Sequence, residues 1–285
     1  MGMKASNAIA TFFKYFVLIL VGLIMIYPLL WMISATFKDN SEIFAGIGLW
    51  IKNPTLEGYK NALNNFGGSI NILQAMLNTY SYVIPKVICT VVSACVAAYG
   101  FGRFDFPGRK LMFNIMLATL FLPQVVLNVP QFLLYTKFGW VNSPFYLAIW
   151  VHCAFATETY FVYQLVQFMR NVPRDLDEAA AIDGCSSFQT LYKVIVPMLG
   201  PALVSCALFQ FMWSCNDFMG PLLYVSTPGK YPMSLFVKLS MDGDTGFAWN
   251  KILALSLISI LPQLIVFFCA QDQFVEGISA GAVKG

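Results

Sequence analysis

The chain has 285 residues, of which 58% are hydrophobic and only 11% are charged, and its formal net charge is +3. Soluble domains carry about 25% charged residues, so this chain lacks the polar residues needed to cover a water-exposed surface. The composition predicts a polytopic membrane protein. The small net charge argues against a nucleic-acid partner, which needs a concentrated basic face.

Long apolar stretches recur along the chain. A transmembrane helix needs about 20 apolar residues to cross hydrocarbon about 30 Å thick. Six stretches satisfy this requirement and predict an all-α integral membrane protein with six transmembrane helices in one domain, at about 12–36, 73–101, 111–135, 144–168, 198–225 and 251–274. The first stretch is too long for a signal peptide. Pro85, Pro123 and Pro130 are expected to kink their spans.

Lysines and arginines near the span ends predict the orientation, because cytoplasmic loops carry an excess of them. With both termini in the cytoplasm, the inner segments hold nine of these residues, the outer segments seven, and all four arginines lie inside. This orientation places 169–197 in the cytoplasm and two long segments outside, at about 37–72 and 226–250. The tip of the second, MDGDTG, is rich in turn-forming residues.

The seven cysteines indicate neither a disulfide framework nor a zinc site. Their number is odd, no CxxC pair occurs, and none lies in the two outer segments. We expect them to be small apolar side chains within helices. We expect neither a metal nor a cofactor in this chain.

The cytoplasmic segment 169–197 is much longer than a connection between two spans requires. A proline followed by three acidic residues predicts a helix start, since carboxylates complement the positive end of the helix dipole. We expect four residues to share one narrow face of this helix, namely Leu176, Ala179, Ala180 and Asp183. Gly184 is expected to end the helix.

A second short helix is predicted directly after the first. Ser186 and Gln189 have the spacing of a capping box. An apolar stripe follows, formed by Phe188, Leu191, Tyr192 and Ile195. The segment therefore predicts two bent helices with a shaped surface, which is typical of a docking element.

At these residues the sequence resembles a known family. Glu178-Ala179-Ala180, followed by Asp183-Gly184 and then by Ile195 and Pro197, is similar to the EAA motif of ABC importer permeases. Flanking stretches resemble the carbohydrate branch of that family, the maltose-type second permease: AAYGFGRFDFPGRK, NDFMGPLLY and FVEGISAGAVKG. One departure is Cys215, which stands where that branch often has tryptophan.

The resemblance implies the ABC importer permease fold and a docking role for the EAA segment. It implies that a cytoplasmic ATPase is coupled through Glu178, Ala179, Ala180, Asp183, Gly184 and Pro197. It also implies a second homologous permease, two copies of the ATPase, and an extracellular solute-binding protein that meets the outer loop 226–250. Residues 274–285 are expected to reach the ATPase. The assembly would import a sugar or oligosaccharide by alternating access, across the plasma membrane of a bacterium or archaeon.

The chain lacks signatures of nucleotide binding and catalysis. Gly229-Lys230 is followed by tyrosine, which does not make a phosphate-binding loop, and neither GxSxG nor HExxH occurs. We therefore expect ATP hydrolysis on a partner chain and no enzymatic activity in this one.

Polar residues inside the predicted spans are candidates for the solute path, because such residues are costly in a bilayer. A sugar path needs hydrogen-bonding groups and aromatic faces. The candidates are Gln124, Asn128, Glu158, Tyr160, Asn216 and Asp217. The alternative for each residue is hydrogen bonding between helices.

Three other functions remain open from the sequence. One is an ABC permease for a non-sugar solute, such as a polyol, glycerol phosphate or an acidic oligosaccharide. The second is an ion-coupled secondary transporter, in which Lys86, Glu158 and Asp217 would couple to ions. A membrane-bound enzyme is the third, although the sequence contains no recognisable catalytic cluster.

Overall fold

The computed structural model describes the backbone of residues 2–64, 70–241 and 248–282, and the side chains of 10–64, 70–241 and 248–274. Helices α1–α8 are Gly2–Ala35, Asn40–Ile43, Glu57–Leu63, Ile72–Arg103, Arg109–Thr119, Gln124–Lys137, Leu147–Trp150 and Thr159–Met169. Helices α9–α15 are Asp175–Ile182, Ser187–Thr190, Val196–Met198, Gly200–Cys215, Met219–Tyr224, Met233–Leu239 and Trp249–Ala282. Most of the MDGDTG tip and the side chains of the C-terminal tail lie outside the described residues, so their contacts stay predictions.

The described helices agree with an integral membrane protein. Three are long and apolar enough to span a bilayer, within α1, α4 and α15. Two further pairs pass the same test together but are bent, α5 with α6 by 100° and the helices of 187–198 with α12 by 80°. The described residues thus offer three spans, or five if each bent pair is one span, and the count of six stays a prediction. Pro123 is the N-cap of α6 and lies at the 100° bend, whereas Pro85 and Pro130 lie inside helices that continue past them.

The stretch 144–168, predicted as the fourth span, is not one continuous helix. It consists of the short helix α7, a 3₁₀ helix at Val151–Phe155 and then α8. Ala156 has a φ of 54° and so interrupts the helical path. Irregular backbone at membrane depth is tolerated where it lines a cavity, and this stretch lines the cavity described below.

Contacts between residues divide the chain into two compact units, residues 1–66 with 237–260 and residues 67–236 with 261–285. In the first unit, the chain after α1 turns back along that helix. The hydroxyls of Tyr27 and Ser34 donate to the carbonyls of Ile47 and Leu49, the second over 2.6 Å. The buried ammonium of Lys38 donates to the Gly48 carbonyl over 2.6 Å. These bonds hold the outer segment against the end of α1.

Helix α3 meets the start of α15 within the first unit at a glycine. A Cβ on Gly58 would lie 2.7 Å from the carbonyl oxygen of Asn250 and 2.8 Å from its carbonyl carbon. Both atoms are backbone, so they cannot move aside as a side chain could. Gly58 therefore allows the two helices to approach closely.

We expect Gly58→Ala to destabilise the first unit by about 1–3 kcal/mol, the usual cost of overpacking a tight contact. Thermal unfolding of the detergent-solubilised protein should show a lower Tm. Gly46→Ala is the matched control, because Gly46 lies in the same outer segment and a Cβ there would have no atom within 4 Å. Equal Tm values for the two variants would contradict this role of Gly58.

Helix α4 is the centre of the second unit and packs against α8 and α12. Its inward face carries small residues, including the fully buried Ala94 and Ala98, which let the neighbouring helices come close. Around them lies a core that is completed by Phe161, Val162, Leu165, Val166, Met169, Leu191, Ile195, Leu199, Ala202 and Cys206. A second, aromatic core surrounds Tyr82 near the other end of α4. This packing makes α4 the common support of the two sites described next.

Candidate functional site: the EAA segment and the polar cavity

The first helix of the EAA segment (residues 169–197) ends as its sequence predicts. Gly184 has a φ of 79°, the left-handed conformation that glycine adopts without strain. The amide of Cys185 donates to the Ala180 carbonyl over 2.9 Å, and that of Gly184 to the Ala181 carbonyl over 3.1 Å. This pair of bonds is a Schellman motif, so the predicted end of α9 is confirmed.

The predicted capping box is confirmed as well. The Gln189 amide donates to Ser186 Oγ over 3.4 Å, while the Ser186 amide donates to Gln189 Oε1 over 2.8 Å. The segment then continues into a π-helical turn at Leu191–Ile195. The local sequence therefore determines the bent shape of the segment.

The surface of the segment differs in part from the prediction. Ala180 is 5% exposed and packs inward, whereas Ala179 and Asp183 are exposed, so the four residues predicted to share a face are not equally accessible. The predicted apolar stripe is likewise divided, since two of its members are buried and two exposed. The exposed side chains of the segment include those of Glu178, Ala179, Asp183 and Pro197, with the apolar Ile182, Phe188 and Tyr192 beside them.

The end of α4 holds the EAA segment in place. Arg103, whose side chain is 6% exposed, forms an ion pair with Asp177 with 3.3 Å between Nε and Oδ2. The same guanidinium donates from Nη2 to the carbonyl of Val172 over 3.0 Å. One turn earlier, the Tyr99 hydroxyl donates to the carbonyl of Ser187 over 3.1 Å. Both helices of the segment are thus bonded to α4.

The sequence did not single out these anchoring residues. Arg103 entered only the count of inner charges, and Tyr99 is one aromatic residue among many in an apolar helix. A usable signal is that both lie in AAYGFGRFDFPGRK, the stretch whose resemblance to the carbohydrate branch is described above.

A polar cavity of about 680 Å³ lies at the opposite end of the second unit's core, bordered by α4, α6 and α13. Five of the six predicted solute-path residues line it: Gln124, Asn128, Glu158, Tyr160 and Asp217. The sequence did not predict several further lining residues, among them Thr119, Tyr135 and Tyr224. Isolated tyrosines and threonines in apolar helices carry no signal of the direction in which they point.

Asn216 is the one predicted solute-path residue that does not line the cavity. Its side-chain amide donates to Gln263 Oε1 over 3.0 Å and to the Met212 carbonyl over 2.8 Å. This is the inter-helix bonding that the sequence left open as the alternative. Its neighbour Asp217 lines the cavity, and both residues lie in the connection between α12 and α13.

The cavity contains an ion pair held by a close turn. Lys86 on α4 lies 4.0 Å from Asp217, measured from Nζ to Oδ2. Asp217 also accepts a bond from the Gly220 amide over 3.0 Å. A Cβ at Gly220 would lie 2.6 Å from Asp217 Oδ2, so only glycine fits there without displacing the carboxylate. The arrangement fixes one negative charge against α4.

Three possible metal ligands also meet beside the cavity. One ligand atom from each of His152, Cys153 and Glu158 lies within 4.8 Å of the other two. Cys153 Sγ donates to Glu158 Oε1 over 3.5 Å, so the carboxylate already has a partner. The Lys86 ammonium shares the cavity with His152 and Glu158 and opposes a bound cation. The absence of a metal stays a prediction.

Comparison with known proteins assigns the fold to a family. Residues 90–277 match the family described as binding-protein-dependent transport system inner membrane component. The chain belongs to this family. The permease is 32% identical to the trehalose/maltose transport system permease protein of Thermococcus litoralis, with 94% of each chain covered. It is 28% identical to the galactooligosaccharides transport system permease protein of Bacillus subtilis, with 99% of each covered.

A solved structure shares the permease's fold. It is that of a bacterial ABC transporter involved in the import of the acidic polysaccharide alginate, with a TM-score of 0.77, 19% identity, and 94% of this chain and 98% of that chain covered. The permease is therefore a multi-pass membrane component of a transport system rather than an enzyme.

Proposed function

We propose that this permease is one of two membrane subunits of an ATP-driven importer of a sugar or oligosaccharide. An exposed EAA segment, bonded to the same helix that borders a polar cavity, carries the proposal. The names of the relatives favour a carbohydrate, since they are transport permeases for trehalose/maltose and for galactooligosaccharides.

In this proposal two cytoplasmic ATPase subunits drive the cycle. The exposed Glu178, Ala179 and Asp183 contact one ATPase, and Gly184 provides the bend between the helices. Closure of the ATPases around ATP moves the segment. Because Tyr99 and Arg103 bond the segment to α4, the movement reaches the cavity wall. An extracellular binding protein delivers the solute at the outer loop.

The chemistry of the cavity suits a neutral polyhydroxylated solute. The side-chain amides of Gln124 and Asn128 can donate and accept hydrogen bonds, and tyrosine rings such as that of Tyr160 provide apolar faces. One lysine and two carboxylates line the wall, so this wall carries no excess positive charge to attract an anion. A neutral sugar therefore fits this wall better than an acidic one.

Transport in proteoliposomes tests the proposal. The permease is co-purified with its partner permease, the ATPase and the binding protein, and uptake of labelled maltose and galactooligosaccharide is followed with and without ATP inside. ATP-dependent uptake supports the proposal. Uptake by the single chain, driven by an ion gradient and abolished by an ionophore, would instead support the secondary transporter.

Substitutions in the cavity test whether the predicted solute-path residues contact the transported solute. We expect Gln124→Ala combined with Asn128→Ala to raise the KM for uptake roughly thirtyfold, since two hydrogen bonds of about 1 kcal/mol each are lost. Asn216→Ala is the matched control, because Asn216 bonds to Gln263 and does not line the cavity. Its KM should stay that of the wild type. A raised KM in the control and not in the double variant would place the solute elsewhere.

A further inference from the structure

Four cations of the second unit converge on one small cavity. Arg109 and Lys110 are the first residues of α5, Arg170 follows α8, and Arg174 precedes α9. All four line a cavity of about 210 Å³ together with Phe101, Gly102 and Phe113. None of the described residues that line this basic cleft is acidic. The lining of the cleft therefore carries an excess of positive charge.

Among the residues that the structure describes, ion pairs leave most of this charge available. Arg109 is the exception, because it pairs with Asp105 over 2.5 Å and donates to the Phe104 carbonyl over 2.8 Å. The guanidinium of Arg170 lies over the Phe113 ring at 5.9 Å from its centroid, which orients the charge without neutralising it.

An apolar groove adjoins the basic cleft. It has a volume of about 310 Å³ and is lined by Ala97, Phe101, Met112, Ile115, Met116, Ala156 and Val162. Phe101 lines both the cleft and the groove. Met116 lies six residues beyond Lys110 on α5, about 9 Å along the helix at 1.5 Å per residue. The groove therefore leads from the four cations into the apolar part of the helices.

We propose that the basic cleft and the apolar groove together bind one anionic phospholipid, with its phosphate among the four cations and an acyl chain in the groove. The basic cleft matches the charged phosphate of such a lipid, and the apolar groove matches its acyl chain. A free phosphate would occupy the cleft alone and leave the groove empty. The positions agree with a bilayer, because the cations occur where α4 and α8 end and α5 begins, on the side predicted to be cytoplasmic. Anionic lipids concentrate in that leaflet.

This inference goes beyond the proposed function and does not depend on a sugar being transported. It requires only the membrane location, which the family shows. The lipid would contact the EAA segment itself, because Arg170 and Arg174 belong to that segment and Arg174 also lines a cavity with Asp177 and Glu178.

The test measures lipid bound to the purified complex of the permease with its partner subunits. The complex is stripped of lipid in detergent, incubated with micelles of equal phosphatidylglycerol and phosphatidylcholine, and the lipid it retains is identified by mass spectrometry. We expect retained phosphatidylglycerol to exceed phosphatidylcholine. The variant Lys110→Gln, Arg170→Gln, Arg174→Gln should reduce that excess at least about tenfold.

Two further variants separate the parts of the site. Lys14→Gln with Lys193→Gln is the charge control, because both lysines are exposed on the same predicted side and neither lines the cleft. It should retain lipid as the wild type does. Ala97→Leu fills the groove without changing any charge, and we expect it to lower phosphatidylglycerol retention several-fold.

Several outcomes would overturn the proposal. Equal retention of both lipids, or full retention by the triple variant, would remove the anionic site. Displacement of phosphatidylglycerol by inorganic phosphate, with no effect of Ala97→Leu, would show that the cleft binds free anions. Retention of phosphatidylglycerol by the two permeases purified without the ATPase, but not by the full complex, would show that the cleft is a protein interface. Each outcome can be read whether or not the complex transports sugar.

Discussion

Combining Glu178→Lys with Gly184→Leu is expected to lower the amount of ATPase that co-purifies with the permease at least about tenfold, as for central interface residues. Glu178 is exposed on α9, so the lysine reverses a charge at the predicted contact. Leucine at a φ of 79° also strains the bend by about 1–2 kcal/mol. The second permease should stay bound, because neither residue is expected to contact it.

Gly139→Leu is the matched control for backbone strain. Gly139 has a φ of 70°, and like Gly184 its surroundings leave room for a side chain. Since it lies outside the EAA segment, the ATPase should co-purify with this variant as with the wild type. An unchanged amount of ATPase with the double variant would mean that the EAA segment is not the coupling site.

Arg103→Gln is expected to reduce solute-dependent ATP hydrolysis and uptake about tenfold or more while the complex still assembles. The substitution removes the ion pair with Asp177 and weakens the bond to the Val172 carbonyl, and bonds of this charged kind contribute about 2 kcal/mol. The EAA segment would then still contact the ATPase but would be loosely joined to α4. The rates of uptake and of solute-dependent ATP hydrolysis per assembled complex measure this loss, and the yield of complex shows whether assembly is affected.

Two companion variants test whether the effect lies in this contact. The charge exchange Arg103→Asp with Asp177→Arg should restore part of the coupling, since it restores the ion pair but not the bond to Val172. Tyr99→Phe removes one neutral hydrogen bond to Ser187, worth about 1 kcal/mol, and should have a smaller effect. If Arg103→Gln lowers only the yield of complex, Arg103 is a structural residue and does not transmit movement.

Local features of the EAA segment could be predicted because neighbouring residues determine them. The Gly184 helix end and the capping box of Ser186 and Gln189 depend on a few adjacent residues, and both are confirmed. The direction of Ala180 depends on the packing of α9 against the rest of the second unit, which periodicity alone does not contain. The spacing of the four residues therefore did not predict which of them would be exposed.

The same difference separates Asn216 from Asp217. Both are polar residues in an apolar stretch, and their order in the sequence does not tell which one faces the cavity. Tertiary contacts decide it, since Asn216 bonds to Gln263 whereas Asp217 lies within reach of Lys86 at the cavity. The stretch 144–168 has the length and composition of a span, yet its polar His152 and Glu158 lie where the backbone is irregular and lines the cavity. The mean hydropathy of a stretch does not show where its helix is interrupted.

Helix α4 has a geometric consequence for the cavity. Lys86 and Arg103 are 17 residues apart on it, with no proline between them, so a stiff rod of roughly 26 Å joins the ion pair with Asp217 to the EAA anchor. Tilting such a rod by roughly 10° about its anchored end would carry Lys86 sideways by about 4–5 Å. That displacement exceeds the 4.0 Å between Lys86 and Asp217. The ion pair between Lys86 and Asp217 is therefore formed at one tilt of α4 and broken at another.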